Sequence, residues 1–273
     1  MPSVEARGPI RGSIHRPAHR LTAAGDEASE EIVAEEVAVA LVYNGLGHAV
    51  MMATPRDLED LARGFSLTEG IVEEASQIYD IEAEPVGRGI EVRLEIAGSR
   101  LMALRERRRN LAGRTGCGLC GVESLEAALR SVPAVAAQAP VSRAAIGRAM
   151  AALPAAQRLN RENGATHAAG WATADGTLVA VREDVGRHNA LDKLVGALAR
   201  SGEAKPGGFV VVTSRCSYEM VQKAAVLGAA AIAAVSAPTS LAIETADEAG
   251  LALVAFVRES RLTVYAHPER IAA

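Results

Sequence analysis

Aromatic residues are scarce, with Phe, Trp and Tyr together making up 3% of 273 residues. The core must therefore draw its apolar volume from Ala, Val, Leu and Ile. Cysteine is also sparse, with three in the chain, which excludes a disulfide-built scaffold. That scarcity fits a reducing compartment in which thiols stay free, and the expected location is cytoplasmic. Long apolar runs are missing. Ala224 to Ala237 is interrupted by Gly228, preceded by Lys223, and falls short of the roughly 18 to 20 apolar residues needed to cross a bilayer. Arg7, Arg11, His15, Arg16 and Arg20 near the start have no apolar stretch beside them, so neither a secretory leader nor a membrane association is expected. An excess of positive charge is absent too. A formal net charge of −4 excludes a dedicated nucleic-acid binder, though not a local basic patch for a phosphate-rich ligand.

What remains is an ordinary globular balance, 49% hydrophobic and 23% charged, long enough for one or two domains. Residues 1–30 lack periodicity and are expected to be a mobile tail. Residues 31–138 predict a smaller α+β domain. Val37 to Tyr43, Asn44-Gly45 and Ala49 to Met52 read as a β-hairpin. Thr54-Pro55-Arg56-Asp57 predicts a helix start with Thr54 as cap, running to about Gly70. Strands follow at Ile78 to Ala83 and Ile90 to Ile96. The basic segment Arg105 to Arg109 then leads into a Gly-rich loop. The Ala- and Pro-rich stretch from Ser131 to Pro140 marks the boundary. Residues 139–273 predict a larger layered α/β domain. A helix from Ser142 to about Asn160 precedes a hairpin turning at Asp175-Gly176, and helices and buried strands then alternate to Val257.

The sharpest chemical feature is Gly116-Cys117-Gly118-Leu119-Cys120-Gly121. Two thiols at this spacing can exchange a disulfide, share a proton or bind one soft metal. Glycines let a second molecule approach the sulfurs, and Arg109 and Arg114 are close enough in sequence to favour a thiolate, the form that attacks sulfur. Redox or sulfur chemistry and half of a structural zinc site both stand at this point. Thr166-His167-Ala168-Ala169-Gly170 places His167 at an expected helix start, where a turn-holding role is the plainer reading.

The mostly polar segment from Arg182 to Lys193 lies where a strand gives way to a helix. Its helix N-terminus, with Arg187 or His188, suits a phosphate, but the spacing is neither a Walker loop nor a Rossmann fingerprint. A surface charge network would look the same. Thr213 to Ser217 and Ser236 to Ser240 are two polar strand-to-helix turns that would share one crevice at the edge of a parallel sheet. Cys216 between them reads as a small packing residue. Phe256-Val257-Arg258-Glu259-Ser260-Arg261 offers a ring for stacking and two arginines for phosphate, while Tyr265 has a core role as its plainer reading.

Cys117 to Gly121, Thr166 to Ala169, Arg182 to Lys193, Ser236 to Ser240 and Phe256 to Arg258, in that order, resemble the formate dehydrogenase accessory sulfurtransferase family, FdhD. The resemblance spans everything but the tail, and the segment from Arg182 is its most specific part. It implies a sulfurtransferase that accepts persulfide sulfur from a cysteine desulfurase. The sulfur then passes to the molybdenum (or tungsten) bis-molybdopterin guanine dinucleotide cofactor, Mo-bis(molybdopterin guanine dinucleotide), of formate dehydrogenase. It further implies that Cys117 carries the persulfide with Cys120 assisting, and that Phe256, Val257, Arg258, Glu259, Ser260 and Arg261 bind the guanine nucleotide. A homodimer, a cytidine deaminase-like fold for the larger domain and no permanently bound metal complete the expectation. Cys216 departs from the family, which usually has a small residue there. A zinc deaminase is rejected on the residues. No catalytic Glu follows His167, and the cysteine pair lies upstream without a preceding proline. The rival from another class is a chaperone that holds the cofactor or the apo-dehydrogenase without moving sulfur.

Overall fold

A computed structural model describes residues 12–112, 132–258 and 261–273 of the chain. Cys117, Cys120, Glu259 and Ser260 therefore lie outside the described residues, and so does the loop expected to carry the cysteine pair. The chain opens differently from expectation. Ser13–Thr22 (β1) and Gly25–Ala34 (β2) form a ten-pair antiparallel ribbon where an unordered tail was predicted. The strands are held by ladder hydrogen bonds and by ion pairs such as Arg20 with Glu27 and Glu31. No apolar alternation announces them.

The first unit is a four-stranded sheet in the order β4-β3-β6-β5, built from Val37–Tyr43 (β3), Leu46–Ala53 (β4), Ile78–Val86 (β5) and Gly89–Ile96 (β6). β3 and β6 run parallel, and the other pairs are antiparallel. Val37, Val39, Leu41 and Tyr43 alternate inward, the period-2 signature of a strand with one buried face. Asn44 and Gly45 turn the β3–β4 hairpin with φ of 46° and 78°, the left-handed pair that a two-residue I′ turn requires. Helices Leu58–Thr68 (α1) and Gly98–Ala112 (α2) belong to this unit, and Leu61, Ala62 and Leu104 enter its core. The segment Arg105 to Arg109, read as the approach to a loop, is helical backbone inside α2.

α1 starts at Leu58 with Asp57 as N-cap residue, not at Thr54 as expected. Thr54 is drawn instead into a long-range network, accepting from the Val185 N–H at 3.1 Å.

The second unit has a six-stranded sheet in the order β13-β12-β11-β10-β8-β9. A short strand Val141–Ser142 (β7) precedes helices Arg143–Ala156 (α3) and Arg158–Asn163 (α4). Ser142 caps α3 by accepting from the Ala145 N–H at 3.1 Å. His167–Ala172 (β8), Leu178–Asp184 (β9), Arg187–Ser201 (α5), Phe209–Val212 (β10), Tyr218–Val226 (α6), Ala231–Ala234 (β11), Ser240–Ala249 (α7), Ala252–Arg258 (β12) and Arg261–Ala266 (β13) follow. Ile271–Ala272 (β14) returns to pair with β7.

β10, β11 and β12 are parallel, whereas β8, β9 and β13 are attached antiparallel at the flanks. Alternation assigns the two faces. Val210, Val212, Ile232, Ala234, Leu253 and Ala255 meet α5, α6 and α7. Phe209, Val211, Ala231, Ala233, Ala252 and Val254 meet α3. The result is three layers, helix on sheet on helix. Val135, inside the expected boundary stretch, already packs in this core and donates its N–H to Ala249 O at 2.8 Å.

α1 and α5 cross at glycines. A Cβ on Gly64 would collide with the carbonyl of Asp192, and one on Gly196 with the carbonyl of Asp60. Only residues without a side chain let the two backbones approach this closely. This crossing joins the units.

Candidate functional site at the strand ends

The segment Arg182 to Lys193 runs from the end of β9 into α5, and most of its charges face inward. Lys193 and Asp184 form a fully buried ion pair at 2.6 Å. Lys193 also donates to Thr54 O at 2.9 Å, and the Thr54 N–H donates to Asp184 Oδ2 at 3.0 Å. Asp184 Oδ1 accepts from the Gly186 N–H and from Asn189 Nδ2. Burial pulls the Lys193 ammonium below its usual range, and the Asp184 carboxylate opposes that pull.

Asp192 is held by Lys223 at 2.9 Å and by the Thr68 hydroxyl at 2.6 Å. Burial drives its carboxyl upward against the attraction of Lys223. Asp60 of α1 accepts from both Arg182 and Arg200. Glu183 accepts the N–H groups of Leu159 and Asn160 at the start of α4 and the Thr166 hydroxyl. Thr54, Asp60 and Thr68 belong to the first unit, and their partners belong to the second. The charge network left open by the sequence is thus, at Arg182, Asp184, Asp192 and Lys193, a buried clamp between units. Asp60 leaves one trace in the sequence, a carboxylate among the apolar positions of an amphipathic helix.

Arg187 and His188 escape the clamp. They open α5 at the same edge as the C-terminal ends of the parallel strands. His188 Nε2 lies 2.8 Å from Glu219 Oε2, and this hydrogen bond holds the Glu219 carboxyl below its usual range. His167 does not start a helix as predicted. It begins β8, paired in register with Asp184, because the ladder to β9 fixes it there. Its imidazole is pushed down, first by partial burial and then by the charges of Arg187 and His188.

The two polar turns share one edge, as their positions in the sequence suggested. Cys216 donates its N–H to Ala237 O, and Thr239 donates its own to Cys216 O. Phe256 continues the line, donating its N–H to Ser236 O at 3.4 Å. Cys216 is the packing residue it was taken for, fully buried in the core beside α6, with burial pushing its thiol up to about 12.

Of the expected nucleotide-binding stretch, Phe256, Val257, Arg258 and Arg261 are described. Phe256 has φ of 52° at a bulge between Ala255 and Arg258, a rare backbone state for a bulky residue. Its ring is exposed and sits 6.4 Å from that of Tyr265, which packs against the core face covered by α7. Val257 points the other way. With Arg261, Leu262, Arg143 and Arg148 it lines an open cavity of about 520 Å³ beside α3. Arg143 and Arg148 carry no sequence signal beyond their charge, since a helix face gives no hint of the cavity across it. Among the described residues no cluster of His, Cys, Asp and Glu has the makings of a metal centre, and no helix is long and apolar enough to cross a membrane.

Fold and edge together define a class: a two-unit, mixed α/β protein with a polar strand-end edge and an arginine-lined cavity. Residues 34–272 match the model of the FdhD/NarQ family, and the chain belongs to that family. The sulfur carrier protein FdhD of Cupriavidus necator is 53% identical over 277 residues, covering 99% of this chain and 96% of that one. Its namesake from Bordetella petrii is 54% identical over 247 residues, covering 90% and 89%. A crystal structure described as that of a formate dehydrogenase accessory protein from Desulfotalea psychrophila shares the fold, with a TM-score of 0.73 at 24% identity, covering 96% of this chain and 100% of that one.

Proposed function

We propose that this chain is a cytoplasmic sulfurtransferase serving formate dehydrogenase. Cys117 accepts sulfur from a cysteine desulfurase and passes it to the molybdenum or tungsten centre of a bound bis-molybdopterin guanine dinucleotide cofactor, which is the substrate. One observation carries the reading. Of three cysteines, Cys216 is sealed in the core with its thiol pushed up to about 12, which leaves the exchange chemistry to Cys117 and Cys120. Relatives about half identical over nearly the whole chain carry the name sulfur carrier protein, which supports the same role here.

In the loading step the Cys117 thiolate attacks the outer sulfur of the desulfurase persulfide. A sulfur–sulfur bond forms on Cys117, the donor's own sulfur–sulfur bond breaks, and the donor cysteine leaves as thiolate. Cys120 stabilises the persulfide or resolves it as a disulfide. The guanine nucleotide docks along Phe256 to Arg261, where Arg261, Arg143 and Arg148 offer positive charge to its phosphates. We read the larger unit as cytidine deaminase-like and the working protein as a homodimer.

Mass spectrometry after incubation with a cysteine desulfurase and cysteine tests the proposal. A gain of one sulfur on the Cys117 peptide is expected, with none in Cys117→Ala. That variant should fold, bind cofactor and yield inactive formate dehydrogenase. An unmodified Cys117 peptide from the wild-type protein would instead favour a holding chaperone.

A further inference from the structure

The C-terminal end of α1 is completed by side chains from two other elements. The last carbonyls of a helix have no partner inside it, and donors or cations placed there satisfy them and meet the negative end of the dipole. Phe65 O, Ser66 O and Leu67 O accept from the backbone just beyond the helix. The next four carbonyls, of Thr68, Glu69, Gly70 and Ile71, accept from side chains. Gln222 of α6 donates to Thr68 O at 3.3 Å. The other three are served from α2. Arg107 donates to Glu69 O at 3.5 Å and to Gly70 O at 3.4 Å, and Arg100 donates to Gly70 O at 3.0 Å and to Ile71 O at 2.9 Å.

The α6 side of this turn is buried and charged. Lys223 donates to the Thr68 hydroxyl at 3.0 Å, to Glu69 Oε1 at 3.3 Å and to Asp192 Oδ1 at 2.9 Å, and its ammonium lies 5.8 Å from the centre of the Phe65 ring. Glu219, one turn earlier on α6, is tied to His188 at the start of α5. On the α2 side Arg100 is the tighter anchor, mostly buried and holding Glu73 at 2.6 Å with its remaining nitrogen. Leu101 and Leu104 fix α2 in the core of the first unit, and the carbonyl turn ties it to the second. α2 ends at Ala112, and the chain reaches Cys117 five residues later.

We infer that Arg100 and Gln222 are positioning residues for sulfur transfer, setting α2 against α6 so that Cys117 is presented to the unit on which the cofactor docks. The inference rests on the sulfurtransferase reading. Loading from a desulfurase involves the cysteine-bearing unit alone and does not need this setting. Passing the sulfur to a cofactor held by the other unit does, because group transfer depends on the alignment of donor and acceptor.

Gln222→Leu and Arg100→Gln are compared with the wild-type chain in two assays. One is the sulfur gained by the Cys117 peptide from a cysteine desulfurase and cysteine. The other is the activity that the loaded protein restores to sulfur-free formate dehydrogenase. Both variants are expected to load as the wild type does and to restore activity about tenfold or more slowly, as a small misplacement of reacting groups does. Glu73→Gln removes only the exposed partner of Arg100 and should match the wild type in both assays. Hydrogen exchange of the α2 amides reads the anchor without sulfur chemistry, and it should quicken in Gln222→Leu although that residue belongs to the other unit. Should Arg100→Gln not fold, Gln222→Leu alone decides. Unchanged α2 exchange in Gln222→Leu, activity restored at the wild-type rate, or loading and activation falling in the same proportion would each overturn the inference. A wild-type chain that takes up no sulfur overturns the sulfurtransferase reading and the transfer role with it, a result that none of the variants can produce.

Discussion

Lys193 shows how much one side chain can settle in this fold. Its ammonium is fully buried, and its partners are Asp184 at 2.6 Å and the carbonyl of Thr54 at 2.9 Å. Removing one member of such a pair leaves an uncompensated charge in the interior, which typically costs about 3–5 kcal/mol. Asp184→Ala is expected to lose stability in that range by urea unfolding. The double variant Asp184→Ala/Lys193→Met should recover much of the loss, because no charge is then stranded. A loss under about 1 kcal/mol for Asp184→Ala would contradict the pairing. Cys216 offers a second reading at this scale. With its thiol pushed up to about 12, it holds almost no thiolate at pH 8. Iodoacetamide should therefore leave Cys216 unmodified in the folded protein and alkylate it in denaturant, as peptide mass analysis would show. Rapid native labelling would refute its burial.

Among the elements, α1 and α5 depend on each other most directly. Gly64→Ala or Gly196→Ala sets a methyl group against a backbone carbonyl that cannot rotate away. Each is expected to cost at least about 2 kcal/mol, since overpacking forces the helices apart. Chemical denaturation measures it, and an unchanged midpoint would mean that the helices can part freely. The same pair marks what sequence can and cannot tell. β10, β11 and β12 and the helices between them were legible to within a residue or two, because buried apolar runs framed by polar turns signal themselves locally. The start of α1 was not, because Thr54 is claimed by Asp184 and Val185, far away in sequence. His167 was misplaced for a similar reason, since its strand exists through pairing with β9. The ribbon of β1 and β2 has charges and Pro17 where alternating apolar residues would be expected, so nothing local betrays it. For the site, the shared polar edge was visible as repeated strand-to-helix turns. The inward aim of Asp184, Asp192 and Lys193 was not, because polarity in a sequence carries no direction.

At the scale of the whole molecule, the two sheets have separate cores but share part of their buried polar network. Asp60, Thr54 and Thr68 on one side complete Arg182, Asp184 and Asp192 on the other. Calorimetry is therefore expected to show one cooperative transition for both units. In Asp184→Ala or Asp60→Ala that transition should broaden or split, since the cores would then melt apart. Two resolved transitions in the wild-type protein would count against the clamp. Removing residues 13–34 should leave the melting behaviour of the remainder nearly unchanged, because among the described residues the ribbon packs chiefly against α4 outside its own ladder.

The glycine crossing and its flanking ion pairs also bear on how this protein can be recombined. A chimera joining the first hundred or so residues of one family member to the remainder of another inherits two halves of a lock. It should fold when the incoming segment brings counterparts of Thr54, Asp60, Gly64 and Thr68, even if the sheet beneath them has diverged. A donor lacking any one of them should give an insoluble hybrid, however similar the rest.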